Sequence, residues 1–320
     1  MTKNSSMRYG GRGISDKLIE RIERAADISW KKFSKRITFY LPGMFTLYGE
    51  KGRYPAISVT GSACELQCKH CRGKLLRPMP PARTAEELIA LAEKWKEENI
   101  EGILLSGGST KEGYVPLFPL LEAVPELKKM GFYVSAHTGF ATEKLARAIS
   151  QSQIDQVLLD IVGDDETARE ILNLNDGVKK VKNALDALFS YNLTVIPHII
   201  IGLGGRIVGE KNALKILKNY PIEFLSFVVL MPAVSIGRNV APIPIDQAMD
   251  IIVLGREMFP DIIQSLGCAR PRGDYRYELE KWALRAGINR MALWSESTIE
   301  EAKNLGLEIE KKYTCCSVMK

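Results

Sequence analysis

The strongest constraint on this chain is a repeating alternation of short apolar runs and longer amphipathic stretches along its 320 residues. The apolar runs are "AISVT" (56–60), "GILLS" (102–106), "FYVSAH" (132–137), "QVLLDIV" (156–162), "LTVIPHIII" (193–201), "FLSFVVLM" (224–231), "IIQSLG" (262–267) and "NRMALW" (289–294). Between them lie stretches such as "TAEELIALAEKWKEEN" (84–99) and "DGVKKVKNALDALFSYN" (176–192), with apolar residues at helical spacing. Strands separated by helices build parallel sheets, because a parallel return needs a crossover connection. Eight such strands predict an α/β fold, a (β/α)8 barrel or a slightly open version of it; a doubly wound sheet is the alternative. The barrel is expected over residues 51–305. Residues 1–50 form an N-terminal extension whose helix, "SDKLIERIERAADISWKKFSK", is expected to cap it, and residues 306–320 form an ordered C-terminal tail.

Composition narrows the function classes. A net charge of +6, without a dense Lys/Arg block interleaved with aromatics, argues against nucleic acid as a partner. No apolar run approaches the roughly 20 residues of a membrane span, and the polar start lacks a secretory signal, so a cytoplasmic protein is expected. Six cysteines in such a chain read as metal or redox chemistry before disulfides.

In a barrel the chemistry sits in loops at the C-terminal ends of strands. After the first run comes "CELQCKHC", with Cys64, Cys68 and Cys71 spaced C-x3-C-x2-C. Three thiolates on one loop suit three irons of a four-iron cluster and leave the fourth iron open. The alternative is a zinc site completed by a distant ligand such as His70, although no second C-x2-C knuckle occurs.

The C-x3-C-x2-C loop directly after a first barrel strand resembles that of the radical S-adenosylmethionine (radical SAM) superfamily. There the open iron of a [4Fe-4S] cluster chelates S-adenosylmethionine, which reductive cleavage converts to methionine and a 5′-deoxyadenosyl radical. The resemblance implies further contacts. His70 stands before the last cysteine, where an aromatic residue is usual. "LSGGST" matches the glycine-rich turn that binds the methionine amino group, through Ser106, Gly107, Gly108 and Ser109, with Ser109 and Thr110 replacing the usual acid. Asp160 stands where biotin-synthase-like enzymes place an acid on the ribose hydroxyls, although an Asp at a strand end is also a common helix cap. Ile200 and Gly202, in "IPHIIIGLGG", resemble adenine contacts. His137 and His198 lie near strand ends as candidate catalytic or core residues.

The second cysteine set is Cys268, in "SLGCARPRGDYR", and Cys315 and Cys316 in "TCCSVMK". The barrel places Cys268 at the mouth and the last helix end at the opposite face. The nine residues from Gly306 to Thr314, extended at about 3.3 Å each, reach back roughly 30 Å. The three cysteines, with Ser317 as a candidate further ligand, can then hold a second, auxiliary [4Fe-4S] cluster. The competing reading is a buried apolar thiol and a frayed terminal pair. Prenylation would need a cysteine at position 317, which is Ser317.

Taken together, the cysteine loop, "LSGGST", "GCARPRGDYR" and the cysteine-bearing tail resemble a largely archaeal group of biotin synthase homologues. This chain is similar to the second subunit of the archaeal-type two-protein lipoyl synthase. The resemblance implies sulfur insertion into a protein-bound octanoyl-lysine chain, with the auxiliary cluster sacrificed as sulfur donor. It also implies three partners: an octanoylated lipoyl domain or H-protein, a second radical SAM subunit, and an electron donor such as ferredoxin. An octanoyl arm would suit a lumen lined by Val, Ile and Leu, and Arg270 and Arg272 would neutralise charge at the mouth. The alternatives are a biotin-synthase-like or mutase-type enzyme on a small molecule without an auxiliary cluster, and a zinc-stabilised binding protein.

Overall fold

The computed structural model describes residues 13–231 and 241–319. Its core is a ten-stranded curled sheet in which all nine pairings are parallel. In chain order the strands are β1 (Arg36–Tyr40), β4 (Ala56–Ser58), β5 (Gly102–Ser106), β6 (Tyr133–His137), β7 (Gln156–Asp160), β8 (Val195–Ile201), β9 (Phe224–Val229), β10 (Ile263–Leu266), β11 (Arg290–Ala292) and β12 (Glu308–Lys312). A separate hairpin, β2 (Thr46–Leu47) and β3 (Glu50–Lys51), precedes β4. The spatial order is β12-β1-β11-β10-β9-β8-β7-β6-β5-β4. All eight expected runs are strands of this sheet. No ladder joins its edges, but the Arg53 N–H donates to the Tyr313 carbonyl (2.5 Å), so β12 and β4 approach each other.

Helices between the strands begin where the sequence supplies caps. Thr84, Thr142, Asp164 and Ser295 each accept a backbone N–H three residues on. Among the described residues no helix is long and apolar enough to cross a membrane.

Strand alternation divides the side chains between two environments. Val157, Leu159, Val195, Ile199, Leu225 and Phe227 belong to the large core. Leu158, Ile196 and Phe224 alternate with them and form a separate inner cluster with Leu104 and Ile263. Above that cluster the inner face is polar. Asp160, His198, Ser226, Ser265, Arg290 and Thr38 lie in register on consecutive strands. The expectation of a lumen lined by Val, Ile and Leu is therefore corrected: most of the aliphatic strand residues face outward, where amphipathic helices cover them.

The N-terminal extension does not cap the barrel. Its helix, Asp16–Phe33, lies on the outside against helices Ile245–Met258 and Asp274–Arg285. Leu18, Ile22, Ala25 and Ala26 are buried there, and Arg21 pairs with Asp250 and with Glu257 (2.8 Å). Beyond it, β1 inserts between β11 and β12. The sheet thus draws strands from all three expected spans of the chain.

Phe39 on β1 is fully buried, 5.8 Å from the Trp294 ring. Phe39→Ala should lower unfolding free energy by about 3–5 kcal/mol, the usual cost of emptying a core phenylalanine site. Chemical denaturation would check this; a loss under about 1 kcal/mol would mean that β1 is peripheral.

Candidate active site at the strand ends

The cysteine loop leaves β4 and is anchored on two sides. The Glu65 N–H donates to the Ser109 carbonyl (2.9 Å), and the Lys69 N–H donates to the Ile171 carbonyl (2.8 Å). The Asn173 side chain donates to the Leu66 carbonyl (2.7 Å). Cys68 is buried, whereas Cys64 and Cys71 are half-buried. Burial, with Cys71 and Cys64 beside it, pushes the Cys68 thiol up to about 12, and burial also raises Cys71. Thiols raised in this way ionise readily only beside a cation, and a thiophilic iron cluster supplies one.

The turn after β5 lies directly against this loop. The Gly108 N–H donates to the Thr60 hydroxyl (2.7 Å). A Cβ on Gly108 would stand 1.9 Å from the Ala63 carbonyl oxygen and 2.6 Å from the Cys64 Cα, so only glycine permits this approach. Ser106 is buried, and its carbonyl accepts the Val59 N–H (2.8 Å). The Thr110 hydroxyl, on the same turn, is buried without a partner.

Asp160, at the end of β7, gathers two other predicted residues, His198 and His70. It lies opposite His198 in the ladder, and its charge acts on both His198 and His70. Burial raises its carboxyl, against the opposing pull of His198 and His70. His70 is held neutral by burial, and its Nδ1 has no partner. The His137 and His198 rings face each other with centroids 5.7 Å apart. Burial pushes both down to about 4, so each is neutral at physiological pH. Ile200 is half-buried on β8. Gly202 follows with φ +76°, and its N–H donates to the Glu210 carboxylate (2.7 Å), which also accepts the Val208 N–H (2.9 Å).

The second cysteine set also converges. Cys316 is buried against Tyr40, Ala292 and Cys268. The Cys316 thiol donates to Cys315, which lowers Cys315 and raises Cys316, and the Cys315 sulfur lies 3.1 Å from the Ser317 hydroxyl. Burial pushes Cys268 up to about 11. Among the described residues, no three His, Cys, Asp or Glu side chains stand at metal-ligating spacing, so neither cysteine trio is pre-closed around a centre. The donor chemistry of both trios suits iron–sulfur ligation.

Arg270 is buried, donating to the carbonyls of Gly267 (2.6 Å) and Leu293 (3.1 Å) and pairing with Glu280 (2.5 Å), and the charges of Arg270 and Arg272 both favour the Cys268 thiolate. Arg270 ties the Cys268 loop to the end of β11. Arg272 is exposed, and its guanidinium lies 5.8 Å from the Phe45 ring centroid. The sequence reading missed Gln156 and Arg290, whose side chains bind the tail backbone. Each is a polar residue at an inward position of an apolar strand, which is the signal that could have found them.

Gly108→Ala must push the turn and the cysteine loop apart, so it should lower the melting temperature and also reduce 5′-deoxyadenosine release from the folded fraction under strong reductant about a hundredfold, since displacements near 1 Å cost that much. Chromatographic assay of the released nucleoside decides it. The buried histidines predict an acid-side loss of stability. Their folded values near 4 lie below the ordinary 6.5, so the unfolded chain binds more protons between these limits. Stability should fall as pH drops from about 6.5 to about 4 and then lose this contribution to the slope. His137→Gln should flatten that slope in pH-dependent denaturation.

Residues 58–217, half of the chain, match the radical SAM superfamily. Over 115 residues the chain is 27% identical to molybdenum cofactor biosynthesis protein 1 of Drosophila melanogaster, a match that covers 34% of this chain and only 20% of that relative. Among solved structures, methylornithine synthase (PylB) aligns with a TM-score of 0.61 at 14% identity, covering 92% of this chain and 90% of that one. The [FeFe]-hydrogenase maturase HydG of Carboxydothermus hydrogenoformans aligns with a TM-score of 0.65 at 17% identity, covering 92% of this chain and 72% of that one. At these identities the structural likeness is one of fold alone. The match over the cysteine loop and the following strands displaces the zinc-stabilised reading: the chain belongs to the radical SAM superfamily, whose enzymes use a [4Fe-4S] cluster and S-adenosylmethionine.

Proposed function

We propose that this enzyme is a radical SAM sulfurtransferase, inserting sulfur into a protein-bound octanoyl-lysine chain during lipoyl assembly. The observation that carries the reading is the seating of Cys316 against Cys268 inside the barrel. A terminal cysteine pair brought beside a third thiol has the donor set of a second cluster. Cys64, Cys68 and Cys71 would hold the first cluster, and Cys268, Cys315 and Cys316, with the Ser317 hydroxyl, would hold the second. When bound, the first would supply the reducing electron for S-adenosylmethionine and the second would supply sulfur.

The remaining work belongs to the chain. Ser106, Gly107, Gly108 and Ser109 receive the methionine end of the cofactor, with the Gly108 turn pressed against Cys64. Asp160 holds the ribose hydroxyls, and Ile200 and Gly202 border the adenine. His70, His137 and His198, all neutral, line the space beside Asp160 without adding charge. Arg270 positions the Cys268 loop through the Gly267 carbonyl. An octanoylated lipoyl domain or H-protein would present its arm at the strand C-terminal ends. A second radical SAM subunit would complete the two insertions, and an electron donor such as ferredoxin would serve the first cluster.

A second reading is favoured by the polar inner row from Asp160 to Arg290: a radical enzyme acting on a small polar molecule, as the name of methylornithine synthase suggests for that relative. Iron content separates the two. Anaerobic reconstitution should give about eight irons per chain for the sulfurtransferase and about four for the other. Incubation with an octanoylated lipoyl-domain peptide should give a mass increase for inserted sulfur. Cys268→Ala should still release 5′-deoxyadenosine while thiolated product disappears; normal thiolation by that variant would sink the sulfur-donor role.

A further inference from the structure

The last residues of a chain usually fray unless something ties them down. Here the strand ladder ends at Lys312, yet Cys316, Ser317 and Val318 are all buried. Beyond the short turn in which the Val318 N–H donates to the Cys315 carbonyl (3.1 Å), side chains from other strands hold this segment.

We propose that Gln156 and Arg290 are positioning residues that latch the C-terminal segment inside the barrel and so present Cys315 and Cys316 to Cys268. Gln156, at the start of β7, reads the tail backbone as a neighbouring strand would. Its Nε2 donates to the Ser317 carbonyl (2.9 Å), and its Oε1 accepts the Met319 N–H (3.0 Å). The Tyr133 hydroxyl also donates to Oε1 (2.9 Å). Two donors on one oxygen fix the orientation of the amide, because the flipped form would set its NH2 against both. Arg290, at the start of β11, donates through Nη1 to the carbonyls of Cys316 (3.2 Å) and Val318 (2.5 Å). Its guanidinium is held between the Tyr40 and Phe224 rings, 5.4 Å and 5.3 Å from their centroids. Below the latch, Met319 packs on the cluster of Leu158, Ile196 and Phe224.

Position and chemistry agree. The tail carbonyls are buried, and an unpaired buried carbonyl is costly, so each latch bond stabilises the inserted state by more than a surface contact would. The polar contacts sit on the carbonyls flanking Cys316 and Ser317, while the apolar anchor sits two residues beyond. The Cys316 side chain is left to face Cys268, Tyr40 and Ala292, and Cys315 lies close enough for its charge to act on Cys268. The latch itself is independent of what the cysteines bind; only its catalytic consequence rests on the sulfurtransferase reading.

The test is alkylation of the full-length apoprotein by iodoacetamide, with each cysteine mapped by mass spectrometry. Gln156→Leu removes both amide contacts. It should raise labelling of Cys315 and Cys316 about tenfold, with Cys64, Cys68 and Cys71 unchanged as internal controls. Gln156→Glu keeps the acceptor for the Met319 N–H and loses the donor to Ser317, so it should fall between the two. If Gln156→Leu unfolds and all six cysteines accelerate together, Met319→Ser becomes the deciding variant, with the same selective labelling expected. Labelling of the tail as slow as in the wild type, in whichever of these variants folds, overturns the latch. After reconstitution, Gln156→Leu should keep four irons and S-adenosylmethionine cleavage but lose the additional irons of the wild type. A wild-type chain that itself holds only four irons sinks the second-cluster reading and leaves the latch to the labelling result.

Discussion

Strand β1 is hydrogen-bonded on both sides, to β11 and to β12, and this double pairing carries the C terminus into the barrel. Every strand of a parallel sheet runs the same way, so each must be preceded by a return along the outside. The last return is the helix Glu296–Asn304, after which β12 runs alongside β1. Without β1 there would be no edge at that position for β12 to join. Because β12 follows β1, residues 313–319 emerge where Tyr40 and Ala292 end their strands, beside the Cys268 loop. The N-terminal extension and the C-terminal tail therefore cooperate, although nearly the whole chain separates them.

The inner face that receives the tail is polar, which is costly unless its groups find partners. Many do. Gln156 and Arg290 bind the tail backbone, and the Tyr54 and Ser135 hydroxyls bond to each other (2.5 Å). Some do not: among the described residues the Ser226 hydroxyl, the Thr110 hydroxyl and His70 Nδ1 are buried without partners. Ser265 lies beside Cys316, and Ser226 lies in register with His198. Thr110 and His70 flank the glycine turn and the first cysteine loop. Thr110 and His70 thus leave polar atoms unpaired beside the first cysteine loop, while other unpaired atoms, among them the Tyr275 hydroxyl and Arg256 Nε, lie elsewhere in the fold.

The strands from β4 to β11 were legible because each carries apolar residues in a short run set between helical stretches. Strands β1 and β12 were not. "RITFY" is short and follows a basic helix end, while "EIEKK" alternates charge with one apolar residue, as an edge strand does. The first cysteine loop and the glycine turn were legible because their spacing is tied to one chemistry. The burial of Arg270 was not legible, because sequence shows a basic residue beside a cysteine but not its pairing with Glu280, ten residues on. The lumen was misread for a related reason. Counting aliphatic residues in a strand does not say which face they occupy, and alternation assigns Val157, Leu159 and Ile199 outward.

Charge in the lumen follows the same logic of placement. The imidazoles of His70, His137 and His198 are held neutral by burial, and Asp160 is pushed toward its own neutral form. An uncharged carbon radical gains little from the oriented charges that stabilise ionic transition states. What it requires is a fixed distance to the atom it attacks and a space from which competing hydrogen donors and water are kept out. In this lumen the neutral imidazoles lie above, and Met319 of the inserted tail packs on Leu158, Ile196 and Phe224 below. The segment that packs at the lower end of the lumen through Met319 is thus the one that sets Cys316 against Cys268.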